Sequence, residues 1–412
     1  MKRTILHSDL NNFYASCEQV LNPQLAGVPF AVCGSVEDRH GIVLAKNQLA
    51  KEMGVKTAMT IKSAQDLCPD LVLVRARLDL YVEFSEKVRQ IYLEFTDRVE
   101  PFGIDEAWLY VTNSKIFGTG EEIAEKIRQR VKELGLTVSV GVSFNKIFAK
   151  LGSDLKKPDA VTIITPENFK QKVWPLNVNE LLNVGRRTAE KLKKYNVLTI
   201  GDLAQTDKSF LEKAFGKAGE MMYIYANGLD DSPVRLYTKP DLVKSVGNSM
   251  TCYRDLKDID DVHIMLSVLA DSVSQRVIRQ DLGKASTVTL SIRDENLSTI
   301  TRQAKLSPPS NIADDVLALA MRLFKENYSF QNGIRSLGIA VSDFNSDLEQ
   351  LSIFEDPEAY EKKLKLSKTI GGIRDKYGSK SLTKAINLKD TRISREDPEN
   401  THTVHPKSFP TK

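Results

Sequence analysis

The stretch SDLNNFYASCE at residues 8–18 and the octapeptide PFGIDEAW at residues 101–108 decide how this chain is read. Thr4 to His7 predicts a short strand that leads into Asp9. Asp105-Glu106 falls in a predicted strand hairpin, with Trp108 to Val111 continuing the alternation. Acids at strand ends suit magnesium, which takes oxygen ligands in octahedral geometry and leaves room for substrate phosphates. Two such ions about 3.5–4 Å apart lower the pKa of an attacking hydroxyl and neutralise charge on a leaving oxygen. On this reading Asp9 and Asp105 bridge both ions, Glu106 binds the catalytic one, and the carbonyl of Leu10 completes the second. The chemistry indicated is phosphoryl transfer. An isolated Asp-Glu pair is often only a surface dipeptide; the partner acid after the first strand weighs against that.

Around these acids the pattern is mixed α/β. Phe13 to Val20 has helical spacing and ends at the Asn22-Pro23 break. Pro29 to Cys33 and Gly41 to Ala45 read as strands, and Asn47 to Met53 as a helix closed by Gly54. Arg77 to Phe95 places Leu80, Phe84, Val88, Ile91 and Phe95 at helical intervals. A helix over Glu121 to Leu134 and an apolar strand over Thr137 to Val142 follow. Leu176 to Leu203 reads as two short helices around a tight turn at Asn183-Val184-Gly185. Ser232 to Leu242, with Pro233 and Pro240, reads as an extended linker. Beyond it the pattern predicts strands at Thr287 to Ile292 and Ser336 to Ser342, and helices at His263 to Arg279 and Ala313 to Asn327. A polar tail starts near Ser346, and its end is expected to be disordered.

Bulk properties exclude more than they assign. With 412 residues, 41% hydrophobic and 27% charged, the chain is too long for one core and too apolar for disorder. A net charge of +4 permits a polyanionic partner without requiring one. Cys17, Cys33, Cys68 and Cys252 are scattered, which signals neither a zinc site nor a disulfide framework. The N-terminus lacks a sustained apolar stretch, and no run of about eighteen apolar residues occurs, so a cytoplasmic protein without membrane contact is expected.

Several motifs in order resemble those of the Y-family, translesion DNA polymerases. DLNNFYASCE and GIVLAKNQLAKEMGVKTAM are closer to the bacterial DNA polymerase V catalytic subunit than to DNA polymerase IV. GIDEAW and VSVGVSFNKIFAKLGSDLKKPD are similar to the family's S-x-D-E-A and G-x-S-x-N-K…K-P elements, and the likeness extends to KSVGNSMT at Lys244. The resemblance implies a multidomain α/β right hand: palm at 1–22 and 76–165, fingers at 23–75, and a helical thumb with a helix-hairpin-helix at 166–231. A linker at 232–243, an α/β little finger at 244–345 and a tail at 346–412 complete it. It also implies two Mg²⁺ ions, replaceable by Mn²⁺, with primer-template DNA and deoxynucleoside triphosphates as substrates.

By the same resemblance Tyr14 is the steric gate under the incoming sugar. Asn12, Phe13, Lys46, Gln48, Lys51 and Lys157 join it around the nucleotide, while Ile42, Leu44 and Ala58 form the roof over the base pair. Gln48 and Lys51 stand where relatives offer tyrosine and arginine, and lysine cannot fork onto two phosphate oxygens as guanidinium does. Gly103 replaces a serine. LLNVGRRTAEKL at 181–192 resembles the helix-hairpin-helix, with Asn183, Gly185, Arg186 and Arg187 toward a DNA phosphate. Residues 241–345 carry twelve Lys and Arg against thirteen Asp and Glu, a net of −1. DNA binding there must come from segregation of Lys244, Arg254, Arg293, Arg302, Lys305 and Arg335 on one sheet face. QLSIF, with Gln350, Leu351, Ile353 and Phe354, resembles the bacterial sliding-clamp peptide; recombinase or other accessory proteins are further partners. A non-catalytic DNA-damage-response factor is the main alternative, and a nucleotide cyclase with a similar palm a weaker one.

Overall fold

The computed structural model describes residues 3–34, 41–238, 242–345, 357–378 and 381–394. They fall into two compact units divided near residue 240.

In the first unit, β1 (Ile5–Leu10) leads into α1 (Phe13–Leu21), and β2 (Phe30–Cys33) and β3 (Val43–Lys46) into α2 (Gln48–Glu52) and α3 (Ile61–Leu67). β4 (Val72–Arg75), α4 (Leu78–Leu93), β5 (Val99–Pro101), β6 (Glu106–Tyr110), α5 (Gly120–Glu133), β7 (Val138–Ser143), α6 (Lys146–Leu155) and β8 (Val161–Ile164) follow. One sheet has the order β5-β6-β1-β7-β8, and a second, smaller one the order β3-β2-β4. Alternation along β1 and β7 turns Leu6, Leu10, Val138 and Val140 into a core with Tyr81, Phe84 and Val88 of α4 and Ile123, Ile127 and Val131 of α5. α6 packs on the sheet directly at Gly141, where an added Cβ would stand 1.9 Å from the carbonyl oxygen of Ala149. Only glycine allows that approach.

α7 (Phe169–Val173), α8 (Arg186–Lys193), α9 (Ile200–Gln205), α10 (Lys208–Phe215) and α11 (Lys217–Ala226) share a core with Phe148 and Leu151 of α6. The first of the two short helices expected around Asn183 is a single 3-10 turn at Val178–Glu180. The expected linker is extended but docked: Val234 is buried with Ile5, Trp108 and Ala149.

The second unit is β9 (Ser245–Leu256), α12 (Ile259–Arg279), β10 (Lys284–Asp294), β11 (Thr299–Ser310), α13 (Ala313–Asn327) and β12 (Ile334–Asn345), with sheet order β11-β10-β12-β9. The sequence predicts only a polar tail after Ser346 and no further helix, yet α14 (Pro357–Tyr377) lies on α12 and Ile393 is buried in the same core. The helix docks through Gly371 and through Gln275, whose Nε2 donates to the Ser367 carbonyl at 3.1 Å. Among the described residues no helix is long and apolar enough to cross a membrane.

Candidate active site

β1 runs through the middle of its sheet, and Asp9 lies directly opposite Glu106 on β6. Opposed residues of an antiparallel pair project from the same face, so the two carboxylates emerge together. The N–H of Leu10 donates to the Asp105 carbonyl at 2.9 Å, which brings the third acid beside them. From α4, Ser85 Oγ donates to the Ile104 carbonyl and Arg89 to that of Gly103, holding the turn before Asp105. A Cβ at Gly103 would stand 3.2 Å from Asp105 Oδ1, so the missing serine leaves that carboxylate room.

Burial and then the charges of Asp9 and Glu106 push the Asp105 carboxyl up to about 6. Asp9 is also raised, by burial, against the pull of Lys157. Burial works the same way on Glu106, but the His7 ring and the Lys150 ammonium reverse it and hold that group at about 2. Because burial keeps His7 below its ordinary value, and so neutral at pH 7, the opposing charge is that of Lys150. Lys150 Nζ is 2.6 Å from Glu106 Oε2, and Lys157 Nζ is 2.9 Å from Asp9 Oδ1. Among the described residues no three His, Cys, Asp or Glu side chains converge into a ready metal cage. An open set of carboxylates that repel one another suits an ion which completes its shell with substrate phosphates and water.

Sequence reasoning passed over the face of α6 under these acids. Lys146 Nζ bonds Glu100 at 2.8 Å and lies 4.4 Å from the centroid of the Trp108 ring. His7 Nδ1 is 2.8 Å from Ser153 Oγ, and its Nε2 is 3.3 Å from Glu106 Oε2. The signal for His7 was available: two residues before Asp9 on a strand, it points to the same side.

Tyr14 stacks on Tyr81 with centroids 4.3 Å apart and planes 14° from parallel. Tyr81 Oη donates to the buried Glu18 at 2.6 Å, and Arg77 Nε binds the same carboxylate at 3.1 Å. Phe13 packs in the core, at 4% exposure. Asn12 holds left-handed backbone (φ 47°) at the start of α1. Ile42 bridges Thr60 just ahead of β3, Leu44 lies in β3 at the β2–β3 register shift, and the N–H of Ala58 donates to the Val43 carbonyl between them. Lys46 Nζ donates to Thr57 Oγ1 at 3.0 Å, Gln48 Nε2 donates to Glu52 Oε1 at 3.0 Å, and Lys51 is exposed on α2.

Asn183 adopts the left-handed backbone (φ 71°) expected where relatives have glycine, and Gly185 caps α8. Arg186 and Arg187 are exposed, with Arg186 Nε 2.9 Å from Glu190. In the second unit the basic residues do not share one face. Arg302 opposes Leu290, whose side chain is in the core beneath the helices, and its Nε donates to Asn327 Oδ1 on α13 at 3.0 Å. Arg293 opposes Thr299 and Ser336 on the other side of the sheet. Arg254 closes onto Asp261, and Lys305 Nζ onto Asp343 at 2.8 Å. Lys244 is exposed just ahead of β9, and Arg335 is half-buried where the β12–β9 register shifts. Gln350, Leu351, Ile353 and Phe354 lie outside the described residues.

Against this geometry the comparisons are direct. Residues 8–154 match the impB/mucB/samB family, residues 243–353 that family's C-terminal domain, and residues 179–230 the DNA polymerase-iota thumb domain. A Y-family DNA polymerase chimera, Dbh-Dpo4(243-245)-Dbh, superposes with a TM-score of 0.71 at 26% identity, over 83% of this chain and 99% of its own. The chain belongs to the Y-family DNA polymerases. DNA polymerase IV of Acetivibrio thermocellus is 47% identical over 96% of this chain and all of its own length. DNA polymerase IV of Pelotomaculum thermopropionicum is 35% identical (96% and 98% covered) and DNA polymerase IV 2 of Bacillus subtilis 36% (94% and 95%). All three relatives carry the polymerase IV name, whereas two of the motifs read as closer to polymerase V.

Proposed function

We propose that this chain is a template-directed translesion DNA polymerase that adds deoxynucleotides to a primer end opposite damaged template. The observation that carries this is the β1–β6 register, which sets Asp9 against Glu106 with Asp105 hydrogen-bonded to Leu10. Holding three carboxylates together costs stability, and nothing observed favours a non-catalytic reading. Divalent-metal dependence goes with the family. Mg²⁺, with Mn²⁺ as substitute, is the specific ion we assign, held by Asp9, Asp105, Glu106 and the Leu10 carbonyl. When bound, it supplies charge neutralisation and a lowered pKa for the primer hydroxyl.

The chain's own side chains do the rest. Tyr14, backed by Tyr81, excludes a ribose 2′-hydroxyl; Lys157 takes the triphosphate; Ile42, Leu44 and Ala58 lie over the base pair. Two branched aliphatics in that roof make the pocket less open to very bulky adducts. Arg187 and the turn at Asn183 meet the DNA backbone. The domain boundaries proposed are palm at 1–22 and 76–165, fingers at 23–75, thumb at 166–231 and little finger at 244–345. The separate small sheet supports the fingers, while the helices after residue 165 share their core with α6 of the palm. Sliding-clamp recruitment through Gln350, Leu351, Ile353 and Phe354 rests on sequence alone, and Phe354→Ala should abolish clamp-stimulated synthesis.

The test is primer extension with Mg²⁺, comparing the intact protein with Asp105→Ala. Loss of about a thousandfold or more is expected, because a group that stabilises charge in the transition state is removed. Extension unchanged in Asp105→Ala overturns the reading.

A further inference from the structure

Asn11 stands two residues after Asp9 and is 6% exposed. Each of its polar groups is engaged. Its N–H donates to the Thr137 carbonyl (2.9 Å), and its carbonyl accepts from Ser16 Oγ (2.8 Å). Nδ2 donates to Ser139 Oγ (3.0 Å), while Oδ1 accepts from the backbone N–H of Asp159 (2.8 Å). That last bond spans 148 positions of sequence and lands two residues beyond Lys157.

The segment it reaches is also held at Ala160, whose carbonyl accepts from the Val140 N–H of β7 at 2.8 Å, and from its outer side. Asp159 carries left-handed backbone (φ 55°), and its carboxylate meets Arg128 Nε at 3.0 Å and Lys132 Nζ at 2.7 Å, both on α5. Lys132 is half-exposed, and pairs of that kind fix geometry weakly. A buried amide-to-backbone bond is the stiffer tie. Lys157 itself lies between Asp9 Oδ1 (2.9 Å) and Asp154 Oδ1 (2.8 Å). One side chain therefore joins the strand end that bears Asp9 to the loop that bears Lys157.

We propose that Asn11 is a positioning residue for nucleotide binding: it sets the Lys157 loop against the acidic strand end, so that cation and carboxylates are in register before a triphosphate arrives. This rests on the polymerase reading above and goes beyond it in assigning Asn11 a task. The amide suits the place better than an acid. Aspartate could accept from Asp159 and from a Ser139 hydroxyl turned to donate, but it would add a further carboxylate beside Asp9 and Asp159.

The experiment uses the full chain on a primer-template whose primer lacks the 3′-hydroxyl, and reads equilibrium binding of the correct deoxynucleoside triphosphate by fluorescence. Asn11→Ala is expected to weaken binding about tenfold, the effect of one buried hydrogen bond. In a Lys157→Ala background the same change should alter binding less than about twofold, since coupled residues share their effect. Single-turnover extension with an ordinary primer should show the loss in apparent affinity and little in the maximal rate. An unchanged affinity in Asn11→Ala, or an equal loss in both backgrounds, overturns the proposal. Hydrogen exchange on the unmutated protein tests it without a variant: the Asp159 amide should be protected, and rapid exchange there overturns it. If Asp105→Ala still extends primers, the polymerase reading falls; if that variant is dead while Asn11→Ala binds normally, only this inference falls.

Discussion

Glu100→Gln is the substitution whose effect can be worked furthest from the structure. Glu100 is 4% exposed; Oε1 accepts from Lys146 Nζ (2.8 Å) and from the Arg235 guanidinium (3.0 Å), while Oε2 accepts from the Arg235 N–H (3.1 Å). Neutralising it leaves the Lys146 ammonium buried without its counter-charge, and breaking a buried pair from one side costs about 3–5 kcal/mol. The Trp108 ring beneath Lys146 returns about 0.5–2 kcal/mol, and Arg235, 28% exposed, can turn to water. A net loss of about 1–4 kcal/mol remains, which at a urea slope of about 2 kcal/mol/M lowers the midpoint by roughly 0.5–2 M. Trp108 is the probe, in a Trp174→Phe background, since the chain has two tryptophans. Burial pushes the Glu100 carboxyl up, but Lys146 and Arg235 outweigh it and hold it below its ordinary 4.5. A depressed acid stabilises above its unfolded value and loses that contribution as pH falls through the folded one. The gap between parent and variant should therefore be full at pH 7 and close below about pH 4.5. Glu100→Gln with Lys146→Met should recover most of the loss. A midpoint shift under about 0.3 M for Glu100→Gln alone refutes the reasoning.

Asp105→Asn should abolish extension yet raise the thermal stability of the metal-free protein by about 1–2 kcal/mol, because it removes a charge that burial, Asp9 and Glu106 all oppose; a lower melting temperature would contradict this. Gly141→Ala should cost at least about 1–3 kcal/mol in urea unfolding, since α6 must move off the sheet to admit the methyl group. Tyr14→Ala should admit ribonucleotides, raising their use relative to deoxynucleotides by on the order of a hundredfold in single-nucleotide extension; unchanged discrimination would place the sugar elsewhere. Ile393→Ala should destabilise the second unit by about 2–4 kcal/mol, measurable by hydrogen exchange in α12, because Ile393 is a core residue there.

What the sequence discloses depends on how local the cause is. The pairing of Asp9 with Glu106 was legible because Asp9 stands near the end of one apolar strand and Glu106 at the start of another, with Asp105 in the turn just before it. The left-handed turn at Asn183 was legible because asparagine enters that conformation more readily than most residues. Arg302 was misplaced because the face of a strand residue follows from its register, and only the pairing with Leu290 reveals it. α14 was missed for another reason. Its contact with α12 runs through a glycine, through Gln275 bonded to a carbonyl and through the Arg374–Asp271 and Arg279–Asp375 ion pairs, none of which an apolar pattern announces. Lys146 and Lys150 were visible as helical neighbours, but what they face depends on the close approach that Gly141 permits.

The charges around the acids explain why two lysines occupy this place. Three carboxylates alone would repel strongly in a half-buried site; Lys150 and Lys157 lower that cost at Glu106 and Asp9. The two lysines differ in freedom. Lys150 is 17% exposed and lies over the Phe102 ring, whereas Lys157 is 33% exposed and carried on a loop. If Lys157 serves the triphosphate, its ammonium must leave Asp9 as the nucleotide arrives, exchanging a carboxylate for a phosphate. Such an exchange keeps the lysine paired throughout, and it frees Asp9 at the moment a cation is needed there. That requires the loop to be anchored at its far end while the lysine tip moves, which is the arrangement the Asn11–Asp159 bond provides.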